Sequence, residues 1–218
     1  TFNGKANLGL CLCVHLGDSE SLQNFHSIDN NVFANRPVYG SNGAETIRCG
    51  TANQSMESSH TIFENNIFFY ECQGVLALRH GERNLAENNV FIGNGVRNTG
   101  GIRVVGAGHV IRGNVFSGLR GERFFAPLAL MNAVPNSLPN RYMLVEDVLV
   151  ENNACYDCSA LEYGTGKDRE RTLAPERITF RGNTYTTLKD LNRGTVEKRA
   201  VEDVIRIPEI SQAHAEAI

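Results

Sequence analysis

The chain of 218 residues has no tryptophan, only six prolines and, between Lys5 and Lys167, no lysine. The missing tryptophan, set beside 21 glycines, suits a turn-rich β protein better than a helical one. No apolar run approaches the ~20 residues that a membrane-spanning helix needs, so none is expected. The formal charge is −3, which excludes a global basic field for nucleic acid. A polyanion would have to be held by a local basic cleft. The start, Thr1-Phe2-Asn3-Gly4, lacks a basic stretch followed by an apolar one, so no signal peptide is expected. It opens within a repeat and reads as a mature or truncated piece of something longer. The six cysteines, Cys11, Cys13, Cys49, Cys72, Cys155 and Cys158, include one C-x-x-C pair. A lone pair is a weak zinc or redox signal, and buried core thiols are the expected state, ahead of a disulfide.

What the chain does have is a phrase used six times. It reads Ile28-Asp29-Asn30-Asn31-Val32-Phe33, Phe63-Glu64-Asn65-Asn66-Ile67-Phe68 and Ala86-Glu87-Asn88-Asn89-Val90-Phe91. It returns as Ile111-Arg112-Gly113-Asn114-Val115-Phe116, Val150-Glu151-Asn152-Asn153-Ala154-Cys155 and Phe180-Arg181-Gly182-Asn183-Thr184-Tyr185. Steps of 35, 23, 25, 39 and 30 residues mark a coil of roughly two dozen residues with loops inserted into some turns. Short alternating strands between Asn/Gly turns predict an all-β, single-stranded, right-handed parallel β-helix. The asparagines should bond neighbouring rungs, and the residue two places on should point inward and stack. The phrase is scaffold.

One domain, 1–218, is expected, with the pattern degrading over 188–218 and a polar, helical end from Ser211. The long step between Asn114 and Asn153 holds Phe124-Phe125-Ala126-Pro127 and Pro135-Asn136-Ser137-Leu138-Pro139-Asn140-Arg141-Tyr142. This is a loop thrown out from the stack, and long loops on rigid scaffolds often carry function.

Arginines sit on strands rather than in the polar turns: Arg48 after Ile47, Arg79 before His80, Arg103 after Ile102. Arg79 and Arg103 are spaced by about one rung, which would set one above the other. A ladder of arginines makes a groove for carboxylates or sulfates, against the alternative of solvated face charge. His15, His26, His60 and His109 lack metal-ligand spacing. Asp18, Asp29 and Asp147 lie in turns, without the pairing a β-helical glycoside hydrolase needs. Glu162-Tyr163-Gly164-Thr165-Gly166, with Lys167-Asp168, is either a substrate contact or plain turn chemistry.

At this point the residues resemble a family. Asn42-Gly43-Ala44-Glu45-Thr46-Ile47-Arg48, Leu78-Arg79-His80-Gly81 and Gly93-Asn94-Gly95 match it in order. So do Thr99-Gly100-Gly101-Ile102-Arg103, Ala126 to Asn132, Asn136-Ser137 and Asn140-Arg141-Tyr142. As a set, running from about Leu10 to Tyr185, they resemble polysaccharide lyase family 6, the alginate lyases and chondroitinase B. The resemblance implies β-elimination on uronate-containing anionic polysaccharide, alginate or dermatan/chondroitin sulfate, by a secreted or periplasmic monomer that binds no nucleic acid and no membrane. It implies a calcium ion on the substrate carboxylate, with Asn42 a ligand, and a lysine that removes the C5 proton. It also implies that Arg79 is the catalytic arginine with His80 beside it. Arg48 and Arg103 match positions that hold substrate carboxylates, and Arg141 and Tyr142 are implied to contact substrate.

The departure from the family is local. Before the Leu-Arg-His-Gly rung the family carries another, with a Glu-x-Glu pair for calcium and the lysine base. Here Glu71-Cys72-Gln73-Gly74 runs straight into Val75-Leu76-Ala77-Leu78-Arg79. One coil is missing by this reading, and with it the calcium carboxylates and the base. Three outcomes remain: His80 as base with Arg79 neutralising the carboxylate, a polysaccharide-binding or structural β-helix without turnover, or an incomplete copy with little activity.

Overall fold

The computed structural model describes residues 2–3, 12–14, 24–34, 45–50, 59–69, 76–186, 199–200 and 205–206. Among these, strands of mostly three residues recur in a fixed cycle through three sheets. Sheet 1 runs Val32–Ala34, Ile67–Phe69, Val90–Ile92, Val115–Ser117, Ala154–Tyr156 and Thr184–Thr186, with Phe2–Asn3 and Arg199–Ala200 at its ends. Sheet 2 runs Leu12–Val14, Ile47–Cys49, Leu76–Leu78, Ile102–Val104, Leu128–Met131, Leu161–Thr165 and Ile205–Arg206. Sheet 3 runs Ser27–Asp29, Ile62–Glu64, Leu85–Glu87, Val110–Arg112, Leu149–Glu151 and Thr179–Arg181. Each turn of the chain contributes one strand to each sheet, in parallel register with the turn before it. This is the expected right-handed parallel β-helix. The one antiparallel pairing among named strands joins Thr184–Tyr185 to Arg199–Ala200. Of the degraded end, only this pair and Ile205–Arg206 are described; the helix expected from Ser211 lies outside the described residues.

The repeated phrase is the corner between sheets 3 and 1. Its first Asn turns the chain with φ near +55°: Asn30, Asn65, Asn88 and Asn152 share this conformation, with glycine at Gly113 and Gly182. Asn tolerates the left-handed region and Gly occupies it freely. At Gly113 a side chain is also barred by space, since a Cβ would lie 2.5 Å from Asn88 Oδ1. The second Asn points inward and forms a ladder. Asn66, Asn89 and Asn114 each donate from Nδ2 to the next rung's Oδ1 or to a backbone carbonyl, and each Oδ1 accepts from the rung below. The same pattern runs on through Asn153 and Asn183.

Phe33, Phe68, Phe91 and Phe116 stack with centroids 5.0, 4.7 and 5.0 Å apart, and all four are buried. That interval is the spacing of adjacent strands, so parallel register delivers ring on ring without adjustment. Cys155 and Tyr185 continue the column. Among the described residues Cys13, Cys49, Cys155 and Cys158 are free thiols, the last three buried, as expected of core cysteines. Cys11 and Cys72 lie outside the described residues.

Candidate functional site

Sheet 2 departs from this regularity. Its outward column runs Cys13, Arg48, Ala77, Arg103, Ala129, Glu162 in register. Arg103 therefore stands level with Ala77, and the expected stacking of Arg79 directly on Arg103 does not occur. Arg79 lies two residues past Ala77, beyond the strand end, because strand pairing and not coil length sets who sits above whom. The column brings Arg48 and Arg103 to one line with only the small Ala77 between them. Between Leu130 and Met131 the register slips, a bulge in the strand that leads to the long loop.

Over this face three segments converge. The first is the 3-10 turn Arg123–Phe125, whose approach depends on glycine: a Cβ on Gly121 would lie 1.8 Å from the Phe125 carbonyl oxygen. The second is the loop 132–145, which carries Pro139 and Tyr142. The third is the connection 166–178, which carries Asp168 and Arg171. The last two are tied by reciprocal backbone bonds between Ala133 and Leu173, of 2.8 and 3.0 Å.

Four guanidiniums and two carboxylates gather here. Arg103 donates to Glu45 Oε1 at 2.9 Å and, through Nε, to the Phe124 carbonyl at 3.2 Å. Arg103 is 6% exposed and Glu45 1%. The resemblance gave Arg103 a substrate carboxylate; in the structure it already holds a protein carboxylate and is covered by Phe124. Arg48 is half-buried and donates from Nε to the Gly50 carbonyl. Arg79, half-buried, lies over the Tyr142 ring at 5.2 Å, and its Nε has no hydrogen-bond partner among the described residues. Arg171 lies on the other contact of that ring at 4.7 Å and also over Phe124 at 5.5 Å. Arg141 is exposed on the loop, one residue from Tyr142, with no described contact to the cluster.

His80 is 1% exposed, with its backbone N–H bonded to the Cys49 carbonyl. Burial, then the Arg79 charge, push its pKa down to about 4, against a hydrogen bond to the Pro139 carbonyl that raises it. At neutral pH it is thus an uncharged imidazole, and its Nδ1 has no partner among the described residues. A second low histidine, His109, is structural: it accepts from the Asn84 N–H at Nδ1, its Nε2 bonds the Val105 carbonyl, and burial pushes it down to about 4.

The structure thus brings Arg48, Arg79, His80, Arg103 and Tyr142 together, and adds Glu45, Phe124 and Arg171. Glu45 stood in the quoted motif without a role. Arg171 had no sequence signal, since it reaches the site through an irregular connection. Asn42 and the Glu71 to Gly74 segment lie outside the described residues. Among the described residues, no three of His, Cys, Asp and Glu gather as metal ligands; of the cluster's two carboxylates, Asp168 is taken by Arg171, and Glu45 gives Oε1 to Arg103 while its Oε2 has no partner among the described residues. The described part of the cluster thus falls short of the several oxygen ligands a calcium site is built from.

The family model described as Chondroitinase B matches residues 1–69 and 61–193. The two stretches share residues 61–69, the coil of Ile62–Glu64 and Ile67–Phe69, which is therefore matched from both sides. Among solved structures, the polysaccharide lyase family 6 alginate lyase AlyGC is 34% identical over 96% of this chain, with a TM-score of 0.70 and 35% of its own length covered. An arginine-to-alanine variant of AlyGC is 36% identical over 96%, with a TM-score of 0.75 and 30% of its length covered. A family 6 alginate lyase in complex with a trisaccharide is 22% identical over 86%, with a TM-score of 0.67, a likeness of fold alone. The chain spans about a third of the length of the AlyGC structures. No curated protein matches it.

Proposed function

This chain belongs to polysaccharide lyase family 6, and on that premise we propose that its Arg48–Arg79–Tyr142 face holds the carboxylates of a uronate polysaccharide and that Arg79 and His80 carry a β-elimination. The observation behind this is the pairing of a cation with an uncharged, unpartnered imidazole nitrogen. Arg79 has an Nε–H with no partner among the described residues, and His80 next to it is held neutral. In the reaction Arg79 pairs with the uronate carboxylate and lowers the energy of the carbanion that forms at C5. The C5 proton passes to His80 Nδ1, the electron pair forms the C4=C5 double bond, and the C4–O4 bond breaks. The leaving oxygen takes a proton from water. With no metal-ligand group among the described residues, carboxylate neutralisation in this reading falls to guanidinium.

A second reading has its own support. His80 is 1% exposed and titrates near 4, which makes it a weak and hard-to-reach base. The twice-matched stretch 61–69 fits one coil standing where the family has two, at the place where its lysine and paired glutamates belong. On this reading the chain binds the polymer without turnover. A polymer of this kind is met outside the cell, so we place the protein there, secreted or periplasmic.

Ultraviolet absorbance of the unsaturated product, on mixing with alginate or dermatan sulfate with and without calcium, separates the two readings. A rise independent of calcium supports elimination by Arg79 and His80. A rise only with calcium contradicts that chemistry. Binding without absorbance selects the second reading, and neither binding nor absorbance overturns both.

A further inference from the structure

One residue of the cluster is unassigned by sequence and linked to everything around it. Arg171 sits on the connection between Leu161–Thr165 and Thr179–Arg181, far from Arg79 and Arg103 in the chain. Its guanidinium packs over Tyr142 at 4.7 Å and over Phe124 at 5.5 Å. Tyr142 in turn packs against Arg79 at 5.2 Å, and Phe124 against Arg103 at 5.8 Å. The result is an alternating stack: Arg79, Tyr142, Arg171, Phe124, Arg103.

Arg171 is itself fixed. Asp168 Oδ2 accepts from its Nε at 2.9 Å and from an Nη at 2.5 Å, while Asp168 Oδ1 accepts the backbone N–H of Arg171 at 2.7 Å and of Glu170 at 2.9 Å. The connection that carries it is anchored just after Arg171, by the Ala133–Leu173 pair and by the Tyr163 hydroxyl on the Pro175 carbonyl at 2.8 Å. Tyr142 has less to hold it. It lies near the end of a long loop, closed by the bond from the Val134 N–H to its carbonyl.

We propose that Arg171 is a positioning residue, a planar clamp that presses the Tyr142 ring onto Arg79 and so sets the direction in which Arg79 presents its guanidinium. Planarity matters: a guanidinium stacks on two rings at once, whereas an ammonium is a compact hydrated charge that cannot. The charge of Arg171 is matched by Asp168, so its contribution is geometric more than electrostatic. The relevance to polysaccharide rests on the function proposed above; the clamp itself does not.

The test reads the clamp without ligand. In ¹⁵N–¹H spectra, the Arg79 Nε–Hε signal is shifted by the Tyr142 ring, and Tyr142→Ala gives its position without that ring. Arg171→Ala should move the signal most of the way to the Tyr142→Ala position, and Arg171→Lys should do the same. Asp168→Asn, which frees the clamp without deleting it, should move it part of the way and serves if Arg171→Ala does not fold. An Arg79 signal unmoved in Arg171→Ala, or restored in Arg171→Lys, overturns the proposal. The affinity of an alginate tetrasaccharide should fall about fivefold in Arg171→Ala. Absence of tetrasaccharide binding by the unaltered protein would count against the polysaccharide reading and leave the Arg79 result standing on its own.

Discussion

The two sides of this β-helix solve opposite problems. At the corner of sheets 3 and 1 the rungs repeat: an Asn bonds an Asn, ring stacks on ring from Phe33 to Phe116, and each buried polar atom of the ladder finds a partner. On sheet 2 the register slips, three irregular segments cross the outer face, and Arg79 Nε and His80 Nδ1 are left without partners among the described residues. Native proteins rarely leave buried polar groups unpaired without a reason. The ligand site proposed above lies on the side where the pattern is broken.

The contrast can be tested from both sides. The largest effect on stability is expected in the ring column: Phe91→Ala removes a ring stacked on both faces and should cost about 3–5 kcal/mol in denaturant unfolding. On the sheet 2 side, Glu45→Ala leaves Arg103 buried without its carboxylate and should cost about 3 kcal/mol or more by the same measurement. A loss under about 1 kcal/mol would mean that Arg103 turns toward solvent once freed, which would make it available to the proposed polysaccharide face.

Acid should weaken the fold through His80 and His109. Both are held near 4 in the folded state against an ordinary value of 6.5, so the unfolded chain binds more protons between those values. Their contribution is complete above about pH 6.5 and drains away as pH falls toward 4. The unfolding midpoint should drop through this window, and His109→Gln should flatten the drop. The smallest effect belongs to the exposed ladder of sheet 3, where Arg112 pairs with Glu87 through two bonds in the open. Glu87→Gln should change stability by less than about 1 kcal/mol, and less still in high salt.

What could be read from the sequence follows the same division. Asn31, Asn66, Asn89, Asn114, Asn153 and Asn183 announce the ladder because parallel register repeats whatever is placed on it. Arg48, Arg79 and His80 were legible as a candidate site through their motifs. The pairing of Arg103 with Glu45, 58 positions away, was not, since it joins two coils across an intervening one. Nor was Arg171, whose position depends on how two long connections cross. Periodicity predicts the rungs, while the insertions between rungs follow no period.

The central claim, that the ligand belongs to the broken face, is tested most directly by calorimetric titration of alginate oligosaccharide into three proteins. Arg79→Ala should bind at least tenfold more weakly than the unaltered chain, with an unchanged unfolding midpoint, and Arg112→Ala on the regular face should bind as the unaltered chain does. Equal weakening by Arg79→Ala and Arg112→Ala, or an Arg79→Ala protein that binds normally, would contradict the account.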